Sequence, residues 1–191
     1  EFWTRFLPEL KATFPQLEGV TLDEFHRAVN KVEPSLIRVE ADEVTYNLHI
    51  LVRFELECAL LEGSLKVKDL PEAWNAKYEG YLGITPPDDA QGCLQDVHWS
   101  AGLVGYFPTY SMGNLLSYQF FATMTGEIGE QGAAWAKGDF APTLRWLQEK
   151  VYTQGSRYTP PDLVKRVTGK PMGSEDYLAG ITAKYRGVYG L

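Results

Sequence analysis

Histidine and cysteine are scarce in this 191-residue chain, and the gaps around them exclude several chemistries. The three histidines, His26, His49 and His98, are far apart and form no H-E-x-x-H pair, so no helical start of a zinc-hydrolase site is present. Cys58 and Cys93 have neither C-x-x-C spacing nor the numbers for a disulfide framework, which fits a reducing, cytoplasmic setting. The nucleophile elbow G-x-S-x-G and the phosphate loops G-x-x-x-x-G-K-[ST] and G-x-G-x-x-G are missing as well. Positive charge is in deficit: 18 Lys and Arg against 25 Asp and Glu give a net charge of −7, and no basic cluster offers a nucleic-acid groove. Apolar runs such as Ile50-Leu51-Val52 and Cys58-Ala59-Leu60-Leu61 are far too short to span a membrane, and the first residues lack a signal pattern. No nucleic-acid or membrane partner is expected.

What is present is an ordinary globular composition, 45% apolar and 23% charged, with an aromatic share of 13% to fill the interior. The pattern predicts a mainly α fold. Apolar spacing marks a first helix over Phe2–Phe14 that Pro8 kinks or splits. Thr21 and Glu24 form a capping box opening Leu22–Val32. The β-branched run Ser35–Val39 predicts a short strand, followed by a long helix from about Asp42 to Leu61 that is apolar on nearly all sides and so central to its domain. Another helix covers about Leu70–Leu82, then a loop over Gly83–Gly92. Gly102–Gly113, rich in Gly and aromatics, predicts a short extended or hairpin segment. Helices return at roughly 114–125, 140–152, 160–168 and 175–189, with Pro160-Pro161 and Ser174-Glu175-Asp176 as start signals. With no repeat or linker, residues 1–191 are expected to form a single mostly helical unit. Because residue 1 is Glu and the first residues already read as the interior of a helix, the chain is expected to be part of a longer one.

Two clusters stand apart from helical packing. In Ile37-Arg38-Val39-Glu40-Ala41-Asp42, Arg38 either pairs with Asp42 or Glu40 to hold a junction or offers its planar fork to a substrate carboxylate. In Gly92-Cys93-Leu94-Gln95-Asp96-Val97-His98-Trp99, Asp96 and His98 share one side if the segment is extended; Asp96 could instead orient the loop, and His98 could be structural. Tyr106 and Tyr110 could point hydroxyls into a cleft or simply pack a loop. His49, Arg53 and Glu57 follow i, i+4, i+8 along one ridge of the long helix and read as a structural polar network.

Taken in order, I-R-x-x-A-D at Ile37–Asp42 and G-x-x-Q-D-x-H-W at Gly92–Trp99 resemble the two downstream motifs of the thermostable, Taq-type zinc metallocarboxypeptidases. Asp42–Ile50 and Gly105–Tyr110 are similar to the same family, and the resemblance extends over essentially the whole chain. It implies the C-terminal portion of such an enzyme: a helical saddle with a deep groove, a few short strands near the cleft, and usually a homodimer. It further implies a peptide substrate, with Arg38 and Asp96 on the side that binds the substrate's terminal carboxylate, and His98, Tyr106 and Tyr110 near the scissile carbonyl or its oxyanion. The family's zinc ligands and general base lie upstream and match no position here, so zinc belongs to the full-length enzyme and the chain alone is expected to be inactive. The contrasting expectation is a non-catalytic helical interaction or dimerisation module.

Overall fold

A computed structural model describes residues 1–191. Nine α-helices and four short 3-10 turns account for its regular structure, and no strand forms. The chain divides into two compact units, one of residues 30–113 and one of residues 1–29 with 114–191. No helix is long and apolar enough to cross a membrane.

In the unit of residues 30–113, α3 (Tyr46–Leu61) and α4 (Leu70–Leu82) pack on each other. Val52 and Leu56 of α3 meet Trp74, Tyr78 and Leu82 of α4, with Cys93 completing the cluster. Gly83 ends α4 in the left-handed conformation (φ 69°), where its amide bonds the Glu79 carbonyl in the manner of a glycine C-cap. The long helix is central to this unit, as its composition predicts, but it starts later than expected. Asp42 stops it: one carboxylate oxygen takes the amides of Val44 and Thr45 and the other the Thr45 hydroxyl, a side-chain cap ahead of the first helical turn. An outward stripe of Leu51, Phe54 and Leu61 stays exposed.

The other unit contains α1 (Phe2–Thr13), which runs through Pro8, and α2 (Leu22–Val29), with α6 (Gly132–Trp135), α7 (Ala141–Lys150), α8 (Pro160–Thr168) and α9 (Glu175–Tyr189). Helix α5 (Pro108–Ile128) begins in the first unit and continues into this one. The predicted capping box forms in both directions: the Thr21 amide donates to Glu24, and the Glu24 amide donates to the Thr21 hydroxyl. Met124, Trp146 and Val167 make one apolar core, and Tyr177, Ile181, Tyr185 and Val188 form the buried stripe of α9 at helical spacing.

Both predicted extended segments are corrected. Residues 38–40 form a 3-10 turn, with Ala41 N–H bonded to the Arg38 carbonyl. The Arg38 amide donates to the side chain of Gln95, so no ladder partner is present and the β-branched propensity has nothing to pair with. Between 102 and 107 the chain turns at Gly102 and Gly105, both at positive φ, and Pro108 then starts α5, whose first turn needs no proline N–H. The expected helix at 114–125 is therefore the middle of a longer one.

Candidate functional site

The two sequence motifs meet at a single carboxylate. Asp96 accepts from Arg38 Nε at 3.0 Å and Nη2 at 2.7 Å on one oxygen, and from Arg53 Nε at 2.6 Å on the other. Arg53 belongs to the polar ridge of α3 and is fully buried; Arg38 is 5% exposed. Gln95 makes a second link, its carbonyl oxygen accepting from the Arg38 amide and from Arg53 Nη2 while its amide group reaches the Leu36 and Gln91 carbonyls. The motif residues at 38 and 95–96 are thus held together by side-chain hydrogen bonds rather than by backbone pairing.

Arg38 completes its surroundings with Tyr46 and Tyr110. Its Nη1 donates to the Tyr46 hydroxyl at 2.8 Å, and its guanidinium carbon lies 5.0 Å from the Tyr110 ring centroid, within cation–π range. Three of its five N–H groups are engaged by Asp96 and Tyr46, which leaves one on each terminal nitrogen. The partner anticipated for a junction-holding Arg38, Asp42 or Glu40, is instead Asp96; Asp42 is occupied in capping α3.

His98 and Tyr110 form the adjoining part. His98 is buried, Nε2 lies 3.0 Å from the Tyr110 hydroxyl, and Nδ1 lies 3.8 Å from Asp96 without a hydrogen bond. Asp96 and His98 are brought together by a turn, not by an extended segment. When His98 carries its proton on Nδ1, Nε2 accepts from Tyr110; the other tautomer donates to Tyr110 and leaves the tyrosine O–H free for an oxyanion. Tyr106 packs against His98, with ring centroids 5.6 Å apart, but remains 43% exposed. Arg38, Asp96, His98 and Tyr110 therefore converge, with Tyr106 at the solvent side.

Burial opposes ionisation of Asp96, but the Arg38 hydrogen bonds and the charge of Arg53 outweigh it and hold its carboxyl below the usual range. Burial also works against the Arg38 charge, and Asp96 reverses that effect, keeping the guanidinium firmly protonated. His49 is the opposite case: burial, then the charges of Arg53 and Arg38, lower it to about 4, so it is neutral near pH 7. Its Nδ1 meets the Tyr78 hydroxyl, which is itself pushed up by burial. Glu57, the last member of the ridge, accepts from Trp99 Nε1 at 2.7 Å and from the Gly105 amide, tying the second motif and the glycine turn to α3.

The polar ridge was visible in the sequence; its attachment to Asp96 was not. An arginine at position 53 and a glutamate at 57 on a mostly apolar helix were the available signal. Tyr78 and Tyr46, which finish the network, carried no such signal. No group of three or more His, Cys, Asp or Glu converges to hold a metal ion, so these residues do not fit a metal centre.

Comparison with known proteins bears on what this arrangement serves. Thermostable carboxypeptidase 1 of Thermus thermophilus is 52% identical over 189 residues, covering 99% of this chain and 37% of its own length. Carboxypeptidase 1 of Bacillus subtilis is 43% identical over 189 residues, covering 98% of this chain and 38% of its own length. The crystal structure of an M32 carboxypeptidase from Deinococcus radiodurans superposes with a TM-score of 0.95 at 46% identity, covering all of this chain and 39% of that one. Trypanosoma cruzi metallocarboxypeptidase 1 gives a TM-score of 0.91 at 36% identity, covering 97% and 39%. The chain thus spans well under half the length of the relatives it matches. Residues 1–185 carry the sequence signature described as carboxypeptidase Taq (M32) metallopeptidase, and the chain belongs to that family.

Proposed function

We propose that this chain is the C-terminal part of a zinc-dependent metallocarboxypeptidase and supplies the side of its cleft that binds the substrate's terminal carboxylate and the developing oxyanion. The observation that carries this reading is Arg38: a protonated guanidinium with two N–H groups left over, fixed by Asp96 beside the His98–Tyr110 pair. A terminal carboxylate is the charge that tells a chain end from an internal peptide bond, and a planar fork suits it better than an ammonium. Asp96 orients Arg38, and His98 with Tyr110 presents a hydroxyl donor for oxyanion stabilisation; Tyr106, more exposed, borders the approach. Zinc, with ligands outside these residues, would supply the activated water in the full-length enzyme, and the 191 residues alone would be inactive. A cytoplasmic homodimer acting on peptides completes the reading.

The test is Arg38→Ala in the complete enzyme. Loss of a charge-assisted pair worth about 1.5–3 kcal/mol should lower kcat/KM for free-acid peptides roughly tenfold to several hundredfold, and much less for substrates with an amidated C-terminus. Wild-type cleavage of free-acid peptides per folded molecule, with a lowered thermal midpoint, would show Arg38 to be only a junction-holding residue. The second reading, a non-catalytic interaction or dimerisation module, draws on the exposed Leu51, Phe54 and Leu61 stripe of α3. It requires that Arg38→Ala leave substrate discrimination untouched.

A further inference from the structure

We propose that Arg53 is a positioning residue for substrate recognition: its buried positive charge offsets Asp96, so that Arg38 keeps an unneutralised charge for the substrate's carboxylate. This inference rests on the carboxylate-binding reading of Arg38 given above.

Arg38 is ion-paired with Asp96 at 2.7 Å, and both side chains are largely buried. A one-to-one pair of this kind has little net attraction for a third charge, because the aspartate repels an incoming carboxylate almost as strongly as the arginine attracts it. The structure holds a second guanidinium on the other oxygen of the same carboxylate, Arg53 Nε at 2.6 Å. Two cations and one anion leave the cluster one positive charge in surplus.

Arg53 cannot meet a substrate directly. It is fully buried, and its donors are engaged by Asp96, Gln95, the His49 carbonyl and the Tyr78 hydroxyl. The other ionisable groups nearby make no ion pair with either arginine. His49 is neutral near pH 7. Asp42 is bonded by Thr45 and the amides that open α3, and Glu57 by the Trp99 indole and the Gly105 amide; these neutral donors leave both negative charges in place but hold the carboxylates off the two guanidinium groups. Glu57 lies one helical turn beyond Arg53 on α3, on the side away from His49. The bidentate hold of Arg38 on one oxygen of Asp96, with Arg53 on the other, also lets the carboxylate fix Arg38 in orientation without spending its whole charge on it.

The experiment compares, in the complete enzyme, inhibition constants for an N-acetylated dipeptide and for its C-terminal amide. The ratio of the two reports recognition of the carboxylate charge. Arg53→Met should reduce that ratio by about tenfold or more, as befits loss of a charge-assisted contact. Arg53→Lys retains the charge while losing most of the hydrogen bonds, and should keep the ratio within about threefold even as the thermal midpoint falls. Adding Asp96→Asn to Arg53→Met removes the unbalanced anion and should restore the ratio. A merely structural Arg53 predicts the reverse: Lys as damaging as Met, and the double variant worse than either. That pattern overturns the inference, as does an unchanged ratio in Arg53→Met when Arg38→Ala abolishes it. Should Arg53→Met not fold, Arg53→Lys decides: a retained ratio supports the charge role and a collapsed one overturns it. A ratio near one in the unaltered enzyme, or one that Arg38→Ala does not move, overturns the carboxylate reading itself and this inference with it.

Discussion

The two units of this chain bury different things. In residues 1–29 with 114–191 the interior is built from Met124, Trp146, Val167 and the α9 stripe, and Gln119 is its one fully buried polar side chain, bonded to Thr168 and Pro171. In residues 30–113 the apolar cluster around Val52, Leu56, Trp74 and Tyr78 lies beside Arg38, His49, Arg53, Glu57 and His98, all buried. Ionised groups gain little stability from burial and often lose it, so a fold selected only for stability would build the second unit like the first. The family's two motifs fall in the unit that accepts this cost. The charged groups of the proposed recognition site all lie in that unit, and the contrast can be broken from either side.

The largest effect is expected from Asp96→Ala. Removing the shared carboxylate leaves two buried guanidinium groups without their counter-charge, a change that costs about 3–5 kcal/mol where a buried pair is broken. Urea unfolding of the variant and the parent should show that loss. A loss below about 1 kcal/mol would mean that Arg38 and Arg53 escape to water when released, and the contrast between the units would be one of composition only.

How far this was legible from the sequence differs between local and long-range contacts. Helices set by local signals were readable: α4 and α8, with Pro near the first turn and Gly83 or Gly169 at the left-handed stop, are found where the pattern put them. The segment at Ser35–Val39 was misread because strand propensity is decided by a partner, and its partner is the side chain of Gln95, 57 residues away from Arg38. Arg38 and Asp96 were singled out, yet their pairing 58 residues apart leaves no periodic trace. Local physics writes helices into a sequence plainly. Long-range polar contacts are written only as residues that look out of place, as Arg53 does on α3.

The next effect is sharper in pH than in size. His49 is held at about 4 against an ordinary 6.5, so the folded state refuses a proton that the unfolded chain accepts. The sign follows: nothing is lost above about pH 6.5, stability falls as pH drops through the interval, and the loss levels off below about pH 4, totalling roughly 3 kcal/mol. His49→Phe should flatten that part of the stability–pH curve. Asp96, whose carboxyl is also held low, loses its own contribution in acid and keeps doing so in the variant. Unfolding free energies measured at several pH values between about 7 and about 4 check it. An unflattened curve would mean that the buried ring takes up its proton without penalty.

The smallest effect tests the other unit. Trp146 is buried at 4% exposure in the apolar core, and its indole N–H donates at 2.8 Å to Glu127, whose second partner is Lys150. Trp146→Phe removes that hydrogen bond and part of the ring volume but leaves Glu127 at the surface, where water and Lys150 satisfy it, so the expected cost is about 1–2 kcal/mol. Because no charge is left buried, the loss should vary little with pH above the range where Glu127 titrates. In the complete enzyme, the ratio of inhibition by free-acid and amidated dipeptides should stay at its parent value, since the substitution touches none of Arg38, Arg53 or Asp96. A change in that ratio would mean that packing in residues 1–29 with 114–191 governs the charge cluster in residues 30–113, and the proposed division between a unit that packs and a unit that recognises would fail.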